Sequence, residues 1–133
     1  MNVILDTNTL VSGIYFKGIP NRILRSWRAG QFGLIVSAEI FDEYKRVLGE
    51  LSYLKPRFNP NKAIAYLHKN LRSVRPFHLS GPVCTDADDD KFLACALAAK
   101  AIIVTGDKAL LRCNVYKNLT ILTPKEFEGQ YLI

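Results

Sequence analysis

Four carboxylates stand where strands end or helices begin: Asp6, Glu43, Asp90 and Asp107. Asp6 follows the apolar run Val3-Ile4-Leu5, and Asp107 follows Ile102-Ile103-Val104-Thr105-Gly106. Glu43 and Asp90 fall in segments with helical patterning. Ligands of an open parallel sheet collect outside the carboxyl ends of its strands, so acids far apart in the chain can converge there. Carboxylates brought together without partners repel one another. A divalent cation removes that penalty, and oxygen-only ligands select a hard ion such as Mg²⁺ or Mn²⁺.

Each acid also has a purely structural use. Asp6-Thr7-Asn8 can close an Asx-type turn. A helical Glu43 can face solvent, although Phe41 and Tyr44 place it beside an apolar stripe. Acids at a helix start cap free N–H groups and complement the macrodipole. The run Asp86-Ala87-Asp88-Asp89-Asp90 holds more acids than a cap needs. Asp86 suits the cap, and Asp90 lies on the helix whose Phe92, Leu93 and Ala96 pack inward. Asp107 can cap the turn after its strand. Thr105 at a strand tip, and Ser12, could touch water at a metal. His68 and His78 lack local partners, and there is neither a GxSxG nor a GxGxxG or GxxxxGK[ST] phosphate loop.

The elements that must position these residues alternate along the chain. Strands are expected at 3–5, 32–36, 102–105 and 119–122, with a weak one at 74–79 that Pro76 demotes. Helices are expected at 10–15, from Pro20 to Gly30, from the Ser37 cap to about 51, at 61–71, at 86–100, at 107–111 and from Pro124 onward. This alternation predicts an α/β fold: a parallel, Rossmann-like sheet of four to five strands with helices on both faces.

The 133 residues suit one domain, with about two thirds of the unfolded surface buried. No apolar run is long enough to span a bilayer, and no basic stretch precedes a secretory core. A soluble cytoplasmic protein is expected. Cys84, Cys95 and Cys113 form no CxxC and no zinc motif, so all three are expected to be reduced and structural. The net charge is +6, but residues 1–80 hold 12 Lys and Arg against 5 Asp and Glu, while residues 81–133 hold 6 against 7. A basic surface beside an acidic, metal-ready pocket suits a polyanion held by its phosphates. Arg22, Arg25 and Arg28 recur along one helix, and Lys45 and Arg46 follow on the next. A solvated exterior would look the same by charge alone.

Four motifs together resemble the PIN-domain nucleases, especially the small single-domain members that include VapC-type toxins of toxin–antitoxin pairs. The strand-ending Asp6-Thr7-Asn8-Thr9-Leu10-Val11-Ser12 is similar to the family's opening motif. The helical Glu43 after the strand-ending Ser37 matches its second acid. Asp90-Lys91-Phe92-Leu93-Ala94 matches a D-x-x-L-A helix start, and Thr105-Gly106-Asp107 matches a T-x-D motif. The resemblance covers nearly the whole chain, in order and spacing. The chain departs from the family's plainest pattern in its acid run, where Asp88 and Asp89 compete with Asp90 as ligands.

The resemblance implies a single PIN-type domain over residues 1–133, with a helical clip region around 53–72. It implies a metal-dependent endoribonuclease in which Asp6, Glu43, Asp90 and Asp107 hold one or two Mg²⁺ or Mn²⁺ ions, and Asn8 and Thr105 orient ligands or water. Asp88, Asp89 and Ser12 would add further contacts at the metal. Arg22, Arg25, Arg28, Lys45 and Arg46 would bind RNA phosphates. The implied partners are RNA, a second copy of the chain in a homodimer, and a small antitoxin. The competing readings are a catalytically inactive PIN-like scaffold that binds RNA or protein, and an RNA-processing nuclease outside any toxin–antitoxin pair. A phosphatase of similar topology is disfavoured, because Asn8 stands where a second Asp would be needed.

Overall fold

A computed structural model describes residues 1–113 and 118–132. The elements run β1 (Asn2–Leu5), α1 (Thr7–Tyr15), α2 (Ile19–Arg28), β2 (Gly33–Val36), α3 (Ala38–Ser52), α4 (Pro60–Asn70), β3 (Arg72–Ser73), α5 (Asp90–Ala99), β4 (Ile102–Val104), α6 (Lys108–Leu111), β5 (Ile121–Leu122) and α7 (Pro124–Tyr131). A short 3₁₀ turn, Ala87–Asp89, leads into α5. The five strands form one parallel sheet in the order β3-β2-β1-β4-β5, flanked by helices.

The sequence dictates this order through burial. Val3, Ile4 and Leu5 are fully buried, as a central strand of a parallel sheet must be. Strand β1 pairs with β2 on one side and β4 on the other, with Leu5 opposite Val104. The chain therefore leaves β1 toward one edge and returns on its other side at β4. The carboxyl ends of these two neighbours form the topological switch point, where ligands of open α/β sheets bind. Helix α5 packs under it against β1, β2 and β4.

Local signals set the helix ends. Asp6 caps α1 by accepting from the Thr9 amide at 2.9 Å, so that helix starts at Thr7, three residues earlier than its apolar pattern predicts. Ser37 caps α3 through the Ile40 amide at 3.3 Å. Helices α1 and α2 cross closely at Gly13, where an added Cβ would lie 2.8 Å from the Pro20 carbonyl oxygen. Tyr44 is fully buried on α3, and its hydroxyl donates to the Leu5 carbonyl, fixing the end of β1.

Three expectations are revised. The weak strand expected at 74–79 is a two-residue edge strand just before it, Arg72–Ser73, because Pro76 cannot donate to a ladder. The helix expected at 86–100 begins only at Asp90, after the 3₁₀ turn. Cys84 and Cys113 were expected as free thiols, but they form a disulfide, with Cα atoms 5.5 Å apart across a separation of 29 residues. Cys95 is free and buried. Burial pushes its thiol up to about 12, which leaves it unreactive. Among the described residues, no helix is long and apolar enough to cross a membrane.

Candidate active site

Asp6 occupies the carboxyl end of the central strand and is only 5% exposed. Its Oδ1 is held by the Thr9 amide, and its Oδ2 accepts from the Thr105 hydroxyl at the tip of β4. Thr105 in turn accepts from the Asp107 amide at 3.0 Å. One hydroxyl thus fixes two acids across the switch point. Burial pushes the Asp6 carboxyl above the usual range. The hydrogen bonds from Thr105 and Thr9 oppose that shift, and the Asp107 charge adds to it. A cleft of ≈ 430 Å³ opens here, lined by Asp6, Asn8, Ser12 and Asp107 among others.

Within the acid run, Asp90 and Asp89 have different surroundings. Asp90 turns its carboxylate to the backbone, accepting from the Val83 amide at 3.0 Å and the Cys84 amide at 2.7 Å. It staples the loop that precedes the run. Asp89, one residue earlier on the 3₁₀ turn, lies in the field of Asp107. Its Oδ2 is buried without a hydrogen-bond partner. Burial first, then the charges of Asp107, Asp86 and Asp88, push Asp89 up to about 6, with Lys91 opposing. Asp86 is the cap expected of it, accepting from the Asp88 amide.

Glu43 enters from α3 and is engaged on both oxygens. Thr7 donates its hydroxyl to Oε2, and the Lys91 ammonium lies 3.0 Å from Oε1. Lys91 also sits 3.0 Å from Asp88 Oδ2 and donates to the Asp88 carbonyl oxygen at 2.6 Å. Lys91 had no place among the sequence-derived candidates, since a lysine after an acid run reads as a solvated face. A lysine is almost never buried unless paired, and its partner Glu43 is 48 positions away in the chain.

The proposed phosphate contacts divide in two. Arg22 forms a two-pronged pair with Glu128, at 2.7 and 3.0 Å. Lys45 pairs with Asp42 at 3.3 Å, and Arg46 with Glu50 at 2.9 Å. Arg28 lies over the Tyr66 ring, 5.2 Å from its centre. Among the described residues, Arg25 has no ion pair, and it lines a basic groove with Arg28 and Tyr66.

Donor chemistry at the switch point is oxygen-only. The Asp107 charge acts on both Asp6 and Asp89, Lys91 offsets part of it at Asp89, and one buried Asp89 oxygen is left without a partner. Oxygen donors of this kind are those a hard divalent ion takes. Among the described residues, no three His, Cys, Asp or Glu side chains close on a single point. The raised Asp89 value gives a sign. The folded protein keeps a proton on Asp89 up to about pH 6, whereas the unfolded chain loses it near 3.8. This stabilising contribution is full below the unfolded value and is lost as pH rises through about 6. Melting of the metal-free protein is therefore expected to fall between pH 4 and pH 6, and Asp89→Asn is expected to flatten that slope.

This fold and cleft define an α/β protein with an acid-lined site at the sheet's switch point. The chain belongs to the PIN-domain family, whose members are nucleases: the family's profile matches residues 2–109. The uncharacterized protein MJ1680 of Methanocaldococcus jannaschii is 31% identical over 150 residues, covering 98% of this chain and 92% of that one. Three solved structures are similar in fold. PAE2754 from Pyrobaculum aerophilum superposes with a TM-score of 0.63 at 11% identity, covering 98% of this chain and 88% of that one. VapBC2 from Rickettsia felis, bound to a DNA fragment from its promoter, gives 0.63 at 15% identity, covering 92% and 98%. FitAcB from Neisseria gonorrhoeae gives 0.57 at 15%, with the same coverages.

Proposed function

We propose that the chain is a divalent-metal-dependent endoribonuclease, acting as the toxin of a toxin–antitoxin pair. The observation that carries this reading is the Thr105 hydroxyl that ties Asp6 to the Asp107 amide at the switch point, with the partnerless Asp89 oxygen in the field of Asp107. A bound Mg²⁺ or Mn²⁺ would make water a better nucleophile and offset charge on the phosphate and leaving oxygen. Asp6, Asp89 and Asp107 would hold it. Thr105 keeps the Asp6 carboxylate aimed by donating to Oδ2, and it keeps Asp107 beside it through the backbone. Asn8 and Ser12, on the cleft wall, would steer the phosphodiester. Asp90 sets the loop that carries the acid run. Arg25 and Arg28, which line one groove, would contact the backbone of the substrate.

RNA is favoured by the family resemblance and by the exposed backbone of single-stranded loops and ends. The toxin role draws support from the likeness to VapBC2 and FitAcB. Exposed Phe16, Tyr53 and Leu54 offer an apolar surface for a second copy or an antitoxin.

Labelled single-stranded RNA and DNA of one sequence, incubated with the protein and Mn²⁺, test the substrate. RNA cut internally, without 2′,3′-cyclic phosphate ends, is expected, because water rather than the ribose hydroxyl attacks. Cyclic ends or preferential DNA cutting would overturn the reading. RNA retained but never cut would establish the scaffold instead.

A further inference from the structure

Two stretches of the chain hold no Asp or Glu, residues 7–38 and residues 51–85, and together they carry 10 of the 18 Lys and Arg. The fold brings them together: α1 and α2 from the first and α4 from the second enclose a pocket of ≈ 240 Å³. Exposed Arg25, Arg28 and Tyr66 line it beside buried Leu24 and Trp27. Trp27 meets Tyr66 edge-on, with ring centres 5.8 Å apart, and the Arg28 guanidinium lies 5.2 Å from the centre of the same Tyr66 ring. Lys62 and Lys69, four residues before Tyr66 and three after it, share its face of α4. Among the described residues, Arg25, Lys62 and Lys69 have no ion pair. The pocket adjoins the acid cleft. Ser12 and Pro20 line the cleft, and Gly13 and Asn21, the next residue on each helix, line the pocket.

We propose that this pocket is a second subsite for the substrate strand, holding one unpaired base next to the nucleotide in the acid cleft. This deepens the ribonuclease reading above and rests on it. An acid-free surface with uncommitted cations attracts a polyanion. An aromatic face among those cations selects a nucleic acid strand, because every base has a face to stack. Tyr66 supplies that face, and Arg28 already rests on it. The base takes the place of the guanidinium on the ring, and Arg28 turns with Arg25 to the flanking phosphates. A duplex keeps its bases stacked on one another and cannot fill the pocket. An acidic peptide would satisfy the charge and leave Tyr66 unused.

Trp27 is the single tryptophan of the chain, so its fluorescence reports on this pocket. The test is binding of a labelled single-stranded RNA containing all four bases, in EDTA so that it stays uncut. Anisotropy of the label gives affinity, and Trp27 quenching gives occupancy. Wild type is expected to bind with Trp27 quenched. Tyr66→Ala should bind about tenfold more weakly, as for one lost base stack, and Tyr66→Phe should bind as wild type does. Arg25→Gln should lower the slope of log affinity against log salt by about 0.7, the value for one phosphate of a single strand. The same RNA annealed to its complement should leave Trp27 unquenched. Equal affinity in wild type and Tyr66→Ala, or RNA bound with Trp27 unchanged, would overturn the subsite. So would RNA that is not bound in EDTA but is cut in Mn²⁺, and in each of these cases cleavage in Mn²⁺ leaves the ribonuclease reading standing. RNA neither bound nor cut would overturn both.

Discussion

Replacing Asp6 with Asn is expected to lower RNA cleavage by more than about a hundredfold, since even residues that only support a metal ligand typically cost 10–100-fold. The variant should fold normally. An Asn at this position keeps the side-chain oxygen that caps α1 through the Thr9 amide. Its amide nitrogen can donate to Thr105, whose hydroxyl then simply turns. The metal-free variant is expected to melt at or above wild type near neutral pH. Burial holds the Asp6 carboxyl above its usual range, with the Thr105 and Thr9 hydrogen bonds opposing and Asp107 reinforcing the shift. An acid raised in the folded state contributes stability at low pH that is lost as pH rises through its folded value. Removing the charge therefore helps above that range and does nothing below it. Initial cleavage rates, with melts in EDTA at pH 4 and pH 7.5, check both halves. A variant that loses activity because it is unfolded would refute the assignment of Asp6 to the chemistry.

Reduction of the Cys84–Cys113 bridge is expected to destabilise the protein by about 3–4 kcal/mol on the loop-entropy account, for a loop of this length. For a chain of this size that lowers melting by roughly 10 °C. The bridge also has a position that matters to the site. The Cys84 amide donates to Asp90, just ahead of the acid run. Cys113 closes the turn after α6, whose N-cap is Asp107. The disulfide therefore ties together the two segments that carry Asp89 and Asp107. Melting with and without a dithiol reductant, and of Cys84→Ser/Cys113→Ser, measures the loss. An unchanged melt on full reduction, verified by thiol titration, would show that the bridge carries no stability.

The two strand-end acids were legible in the sequence because β-branched runs announce buried strands and a polar residue must end them. Asp6 and Asp107 needed only the rule that parallel strands deliver their ends to one side. The parallel sheet was legible too, but its strand order was not, because that depends on pairings across the fold. The different surroundings of Asp89 and Asp90 were not legible. The two are adjacent, and which one faces Asp107 depends on a single 3₁₀ turn entering α5. That turn is fixed in part by the Asp90 bonds to Val83 and Cys84, which have no sequence signature. Arg22 read as a phosphate contact because its partner Glu128 lies 106 residues away. Lys91 and the disulfide were missed for the same reason: both depend on partners that only the folded chain brings near. Where a residue's role is decided by its neighbours along the chain, sequence sufficed; where it is decided across the fold, it did not.

Cleavage of labelled single-stranded RNA across a Mn²⁺ titration, with wild type, Asp6→Asn and an excess-EDTA control side by side, tests the central claim most directly. Wild-type cleavage is expected to rise and saturate with Mn²⁺, to vanish in EDTA and to be absent from Asp6→Asn at every concentration. Cleavage that survives EDTA, or full activity in Asp6→Asn, would contradict it.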